Sequence, residues 1–179
     1  AEVSSAISEL LGATCLREAP IVPVSAMTGV GIDTLRESIG AAAERVPPRT
    51  IEGNFRLAID RSFLLAGAGR IVTGTVFSGS ANLGEQLMLS PARAELRVRG
   101  IHAQNRESET AVAGQRCALN IVGGDLRRIE IHRGDWVVAE PACFGVTRFD
   151  AVIRILAAEE RALKNRTPVH VHLGAADVT

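Results

Sequence analysis

The residues of this chain that could do chemistry are arginines, histidines, cysteines and glycines, and few of them stand at spacings that assemble a reactive centre. The basic side is nearly all arginine, Lys164 being the only lysine. A guanidinium presents a planar fork of donors that suits carboxylates, phosphates and other anions, although a GC-rich coding bias produces the same composition. His170 and His172 alternate with Val169, Val171 and Leu173, so both imidazoles fall on one face of a strand. Two imidazoles without a third ligand fall short of a metal centre, and packing or exposure accounts for them. Cys15, Cys117 and Cys143 fit no metal-ligand or redox spacing and read as reduced thiols of a cytoplasmic protein. Arg127, Arg128 and Arg133 have Glu130 and Asp135 interleaved among them, the pattern of a solvated loop. On residue types alone, Asp60 and Arg61 read as a surface ion pair and Arg116 as a rim residue.

Two absences bound the chemistry. The sequence contains no G-x-x-x-x-G-K-[ST] loop to cradle phosphates and no Asn-Lys-x-Asp to read guanine, so the chain alone is expected not to hydrolyse GTP. Gly67-Ala68-Gly69 joins two strand patterns rather than a strand and a helix, and reads as a hairpin turn.

The elements that must position these residues fall into three segments. Residues 1–46 read as helix, strand, helix. Val3, Ile7, Leu10 and Leu11 recur at helical spacing before Gly12. Ile21, Val22 and Val24 form a short apolar run of the parallel-sheet kind. A second helix starts near Asp33, a plausible N-cap, carries Leu35, Ile39, Ala42, Ala43 and Val46, and ends before Pro47 and Pro48. One helix-strand-helix unit cannot bury its own apolar faces, so the rest of its α/β domain is expected to lie outside this sequence. From Asn54 the period becomes two, with Phe55, Leu57 and Ile59 alternating against Arg56, Ala58 and Asp60. Further short strands follow at 70–77, 85–89, 95–102, 116–122 and 135–139. Turn clusters such as Ser78-Gly79-Ser80, Asn82-Leu83-Gly84 and Gly123-Gly124-Asp125 separate them, which indicates a closed β-barrel. A third segment, from about Thr147, carries the run Val152, Ile153, Ile155, Leu156 and then the alternating Val169–Leu173, and is also expected to be incomplete. The fold class is thus mainly β: residues 1–50 a remnant of an α/β domain, 51–145 a barrel, 146–179 the start of another.

Formal charge is zero, so any nucleic-acid contact must be local rather than driven by a basic field. No apolar run approaches the roughly 18 residues of a membrane span, and the first residues lack the order of a signal peptide. No membrane partner is expected.

Several stretches resemble a known family. Pro23-Val24-Ser25-Ala26-Met27-Thr28-Gly29-Val30-Gly31-Ile32 resembles the loop in which GTPases present a Ser-Ala pair to guanine. Phe55 to Phe63, Gly67-Ala68-Gly69-Arg70-Ile71-Val72-Thr73-Gly74-Thr75-Val76 and Leu83-Gly84-Glu85 resemble the opening of the second-domain barrel of translational GTPases. Arg97-Val98-Arg99-Gly100-Ile101-His102-Ala103-Gln104-Asn105, Ala113-Gly114-Gln115-Arg116-Cys117-Ala118-Leu119-Asn120 and Arg133-Gly134-Asp135-Trp136 are similar to that barrel in selenocysteine-specific elongation factors. His170-Val171-His172-Leu173-Gly174 through Asp177-Val178-Thr179 is similar to the start of their third domain.

This resemblance implies that the barrel holds the aminoacyl end of selenocysteinyl-tRNA, that the longer protein uses GTP and Mg2+, and that it works in the cytoplasm on the ribosome. It further implies that an mRNA hairpin is bound by a carboxy-terminal region outside this sequence. It places the selenocysteine pocket on Asp60, Arg61 and Arg116, with His102 as a further lining residue, and the guanine-loop remnant on Ser25 and Ala26. A selenol is more acidic than a thiol, whose pKa is about 8.5, so selenocysteine is anionic at neutral pH and arginine suits its pocket. The alternatives are the second domain of an elongation factor Tu or initiation factor 2 type protein, or a barrel that binds only protein.

Overall fold

A computed structural model describes residues 2–178 apart from 48, 125, 127, 157, 158 and 160. Of the residues read from sequence, Pro48, Asp125, Arg127 and Thr179 therefore lie outside the described ones. The chain divides into two compact units, residues 1–47 with 150–167, and residues 48–149 with 168–179.

In the first unit, helix α1 spans Glu2–Gly12 and α2 spans Ile32–Arg45. Asp33 does not cap α2. It stands in the first turn and pairs with Arg36, and Gly31 takes the cap position with φ 77°. A Cβ at Gly31 would lie 2.1 Å from the Pro23 carbonyl oxygen, so the tight entry to the helix excludes any side chain there. Ile21, Val22 and Val24 carry no strand, and neither do Val152, Ile153, Ile155 and Leu156. Both runs have strand-forming residues, but a strand exists only where a neighbour completes its hydrogen bonds. Neither helix has a buried residue, and Val3, Leu10, Ile39 and Val46 of the expected stripes are exposed.

The second unit is the barrel. Its strands are β1 (Arg56–Leu65), β2 (Gly69–Ser78), β3 (Ser80–Asn82), β4 (Gln86–Ser90), β5 (Ala94–Ala103), β6 (Arg106–Ser108), β7 (Thr110–Val112), β8 (Arg116–Val122) and β9 (Trp136–Val138). Six of them run in the order β4-β9-β1-β2-β8-β5, and β5 pairs back onto β4 to close the ring. Closure leaves no edge in those six. Strand β6 extends β5 as a hairpin through Gln104 and Asn105, both at positive φ as a tight two-residue turn demands, and β3 pairs with β7. A last hairpin, β10 (Val171–Leu173) with β11 (Ala176–Val178), belongs to the same unit.

The inward-facing residues follow from the period-two pattern: Leu57, Ile59, Val72, Val76, Leu87, Leu89, Leu96, Val98, Ile101, Leu119, Ile121 and Val137 all have 3 % exposure or less. Each such aliphatic side chain contributes about 1.5–3 kcal/mol by leaving water. Ala58 departs from the alternation and is buried on the outward side, because Gly174 and Trp136 sit over it. The short strand β3 lies between two expected turn clusters, and β6 and β7 fall in the gap between the strands expected at 95–102 and 116–122. The β1–β2 hairpin turn spans residues 66–68, with Gly69 opening β2, and Ala68 N–H donates to the Leu65 carbonyl at 3.1 Å.

The decisive local feature is a break in register between β1 and β2. Ile59 faces Gly74 and Arg61 faces Thr73, so Asp60 is an extra residue with no partner, a β-bulge. Gly74 permits it: a Cβ there would lie 2.0 Å from the Ala58 carbonyl oxygen and 2.9 Å from Leu57 Cδ2. Gly74→Ala is therefore expected to destabilise the barrel by about 2–3 kcal/mol or more, measured by urea unfolding. Gly145→Ala, whose Cβ would meet open space, should leave stability within about 0.5 kcal/mol.

Candidate functional site

The bulge determines where the charged side chains go. With one extra residue in β1, Asp60 and Arg61 both reach the outer face of the sheet that Thr73 of β2 shares. Thr73 donates its hydroxyl to Asp60 Oδ1 at 2.5 Å. Arg116, at the start of β8 beside Thr75 of β2, donates from one nitrogen, Nη2, to both oxygens of Asp60 at 3.0 and 2.8 Å. Two strands joined by a hairpin, β1 and β2, and a third distant in sequence, β8, thus meet at one carboxylate. The Asp60 side chain is 28 % exposed and that of Arg116 57 %, so the pair is half-sheltered and its guanidinium faces solvent. Among the described residues, no hydrogen bond engages Nη1 or Nε of Arg116, which leaves donors for an anion. Arg61 is exposed and next to Asp60 in the chain.

Burial alone would push the Asp60 carboxyl upward. The Thr73 hydroxyl, the Arg116 hydrogen bonds and the positive charges of Arg116 and Arg61 outweigh it, so its pKa lies below the ordinary carboxylate value.

Residue His102 lies on β5 opposite Glu107 and Ala118. It is exposed and lines an outer-face groove of about 330 Å³ with Phe63, Leu65, Ile71, Ala118 and Asn120. Ala118 is two residues beyond Arg116 on β8, on the same face. In the other unit, the loop of Ser25 and Ala26 is closed by Ser25 N–H donating to Val30 C=O at 2.9 Å and Gly29 N–H donating to Ser25 C=O at 2.8 Å. Ser25 is half-buried and Ala26 exposed. His170 pairs with Asp177 at 3.1 Å and His172 lies 3.9 Å from the same carboxylate. Among the described residues no group of three or more side chains is arranged to hold a metal ion, and no helix is long and apolar enough to cross a membrane.

Sequence reasoning missed Thr73, which fixes the carboxylate, and Gly74, which allows the bulge. Their adjacent threonine and glycine were visible in the Thr73-Gly74-Thr75 stretch, but only the register shows what they do.

A group whose pKa is depressed in the folded state contributes stability above its unfolded value, about 3.9 for Asp, and loses that contribution as pH falls through the folded value. The thermal midpoint of the barrel is thus expected to fall on acidification below about pH 4. Asp60→Asn should flatten part of that fall, and an unchanged acid profile in Asp60→Asn would contradict the assignment.

The geometry can be set beside known proteins. Residues 69–138 match the family model "Elongation factor Tu domain 2". The selenocysteine-specific elongation factor of Escherichia coli is 39 % identical over 178 residues, covering 99 % of this chain and 28 % of that protein. That of Desulfomicrobium baculatum is 35 % identical over 98 % of this chain and 27 % of its own length. The crystal structure of translation elongation factor SelB from Methanococcus maripaludis, apo form, superposes with a TM-score of 0.70 at 29 % identity, covering 79 % of this chain and 30 % of that one. The same factor with the GTP analogue GppNHp gives 0.69. The chain spans little more than a quarter of the length of these curated relatives. With a barrel that matches domain 2 of elongation factor Tu and a sequence that follows the selenocysteine-specific factors almost from end to end, the chain is a segment of the selenocysteine-specific elongation factor family.

Proposed function

We propose that this chain carries the aminoacyl-end site of a GTP-dependent factor that delivers selenocysteinyl-tRNA to the ribosome for recoding of UGA. Residues 51–145 are the second-domain barrel, 1–50 the end of a GTPase domain, and 146–179 the start of a third domain. The observation that carries the site is the Asp60–Arg116 contact, in which one guanidinium nitrogen satisfies the carboxylate and leaves the remaining donors directed elsewhere.

In this reading Arg116 and Arg61 hold the ionised selenium of the aminoacyl group by charge-assisted hydrogen bonds. Asp60 orients Arg116, limits the excess positive charge and can accept from the α-amino group. His102 lines the groove alongside. Two opposite charges at 4 Å attract by about 4 kcal/mol at an effective dielectric of 20, and solvent exposure and desolvation reduce this to about 1–3 kcal/mol, or roughly 5- to 150-fold between selenolate and neutral serine. Selection rests on charge, since selenocysteine is ionised at neutral pH and serine is not.

The longer protein would use GTP with Mg2+. The Ser25–Ala26 loop fits the guanine end by its tight turn into α2, and the phosphates and metal require residues outside this chain. A region outside the chain would bind the mRNA hairpin. The work is cytoplasmic.

The test is competition of selenocysteinyl-tRNA against seryl-tRNA for the full-length factor containing this chain. Arg116→Gln and Arg61→Gln are expected to lower the preference at least tenfold in combination, and a preference left undiminished would reject the pocket.

A further inference from the structure

Beside the Asp60 end of the outer face lies the hairpin of β10 and β11, seated over β1 and β9 with its turn against the barrel. A Cβ at Gly174 would lie 3.2 Å from Ala58 Cβ and from Trp136 Cζ2, and a Cβ at Gly134 would lie 2.8 Å from both Cα and Cβ of Ala176. One glycine from each partner thus stands at the contact, and neither leaves room for a side chain. Arg133 adds a hydrogen bond, donating Nε–H to the Ala175 carbonyl at 3.2 Å. A two-stranded hairpin has little stability of its own, so docking on the barrel is what orders it. The barrel side of the contact is the turn from His132 to Asp135, and the same turn holds β1 where the bulge begins. Ile59 N–H donates to the Asp135 carbonyl at 2.8 Å, and Gly134 N–H donates to the Ile59 carbonyl at 2.9 Å. His132 N–H donates to Asp135 Oδ2 at 2.8 Å, which keeps the turn tight. A cavity of about 190 Å³ follows, with Asp60, Thr75 and Phe77 on one side and Arg133, Gly174 and Ala175 on the other.

We propose that the β10–β11 hairpin positions the Asp60–Arg116 pair: docked, it seats the His132–Asp135 turn on Ile59 and so holds the bulge where Asp60 reaches Arg116. Coupling between separated groups is carried by a continuous series of packed and hydrogen-bonded contacts. Here the series is short, running from Ala176 to Gly134, from Gly134 to Ile59, and from Ile59 to the adjoining Asp60. The Ile59 carbonyl belongs to the peptide unit that leads into Asp60. Gly134 therefore faces the hairpin with its α-carbon and holds the bulge with its amide. Asp60 itself has no ladder partner, so on its N-terminal side the backbone bonds of Ile59 are what fix it. Arg133, Gly134 and Ala176 act in this way as positioning residues, through the turn and not through contact with the aminoacyl group. The inference rests on the proposed function for what the pair selects, whereas the coupling itself needs no tRNA.

The experiment is a double-mutant cycle read on the Asp60 carboxyl by carbon-13 NMR in the full 179-residue chain. The upward move of its midpoint caused by Arg116→Gln is measured in three backgrounds. These are the parent, Ala176→Leu, whose longer side chain lifts the hairpin from Gly134, and Arg133→Met, which removes the donor to Ala175. Displacing the hairpin is expected to shrink that move to about half or less, while Arg133→Lys, which keeps a donor, should leave it near its parent size. In the full-length factor, Ala176→Leu should lower the preference for selenocysteinyl-tRNA over seryl-tRNA by about fivefold or more. Arg133 is exposed, so Arg133→Met keeps the test decisive if Ala176→Leu unfolds the chain. A lower melting temperature with an undiminished Arg116-dependent move is what a merely structural contact gives, and it would overturn the proposal. If the move shrinks but the unaltered factor has no selenocysteine preference, the coupling stands and the pocket falls. If the move shrinks and an existing preference persists undiminished, the role of the hairpin in selection is overturned.

Discussion

A single carboxylate ties the outer face of this barrel together. Asp60 is bound by the hydroxyl of Thr73 and the guanidinium of Arg116, so β1, β2 and β8 are joined by side chains as well as by their ladders. The carboxylate can be there only because β1 holds one residue too many at that point, and the bulge fits only because Gly74 leaves its Cβ position to the Ala58 carbonyl. A chain of constraint thus runs from a missing methyl group to a register break to the position of a charge. Replacing water around Asp60 costs free energy that the hydroxyl and the arginines offset, which is why the acid stays ionised in a half-sheltered site.

The rest of the barrel serves that geometry by being rigid. Ring closure through β4 and β5 and a core of largely aliphatic side chains, with no polar or charged residue among the buried ones described, leave the outer face free to specialise. Its groove of Phe63, Leu65, Ile71 and His102 is apolar, and the Asp60–Arg116 ion pair stands on the same face.

How much was legible in the sequence depends on how local each determinant is. The strands β1, β2, β4, β5 and β8 were readable because period-two burial writes itself directly into Leu57, Ile59, Val72, Leu87, Leu96 and Leu119. The hairpin turn at 66–68 was readable from Gly67 and Gly69. The alternation predicted an exposed Ala58, and it failed because Gly174, more than a hundred residues later, covers that position. The runs Ile21–Val24 and Val152–Leu156 have strand composition without strand partners, a condition that no local pattern reports. At the site, the residue types Asp60, Arg61 and Arg116 entered through a family resemblance, and their sequence alone read as surface charges. Thr73 and Gly74 matter through register, which becomes visible only when the paired strands are laid side by side.

The claim on which the account depends is that Arg116 holds Asp60 ionised across the sheet. Carbon-13 NMR of the Asp60 carboxyl, titrated in the parent chain and in Arg116→Gln, measures it directly. The account expects a midpoint below the ordinary carboxylate value in the parent chain and a clear upward move in the variant. An ordinary midpoint that is the same in both proteins would contradict it.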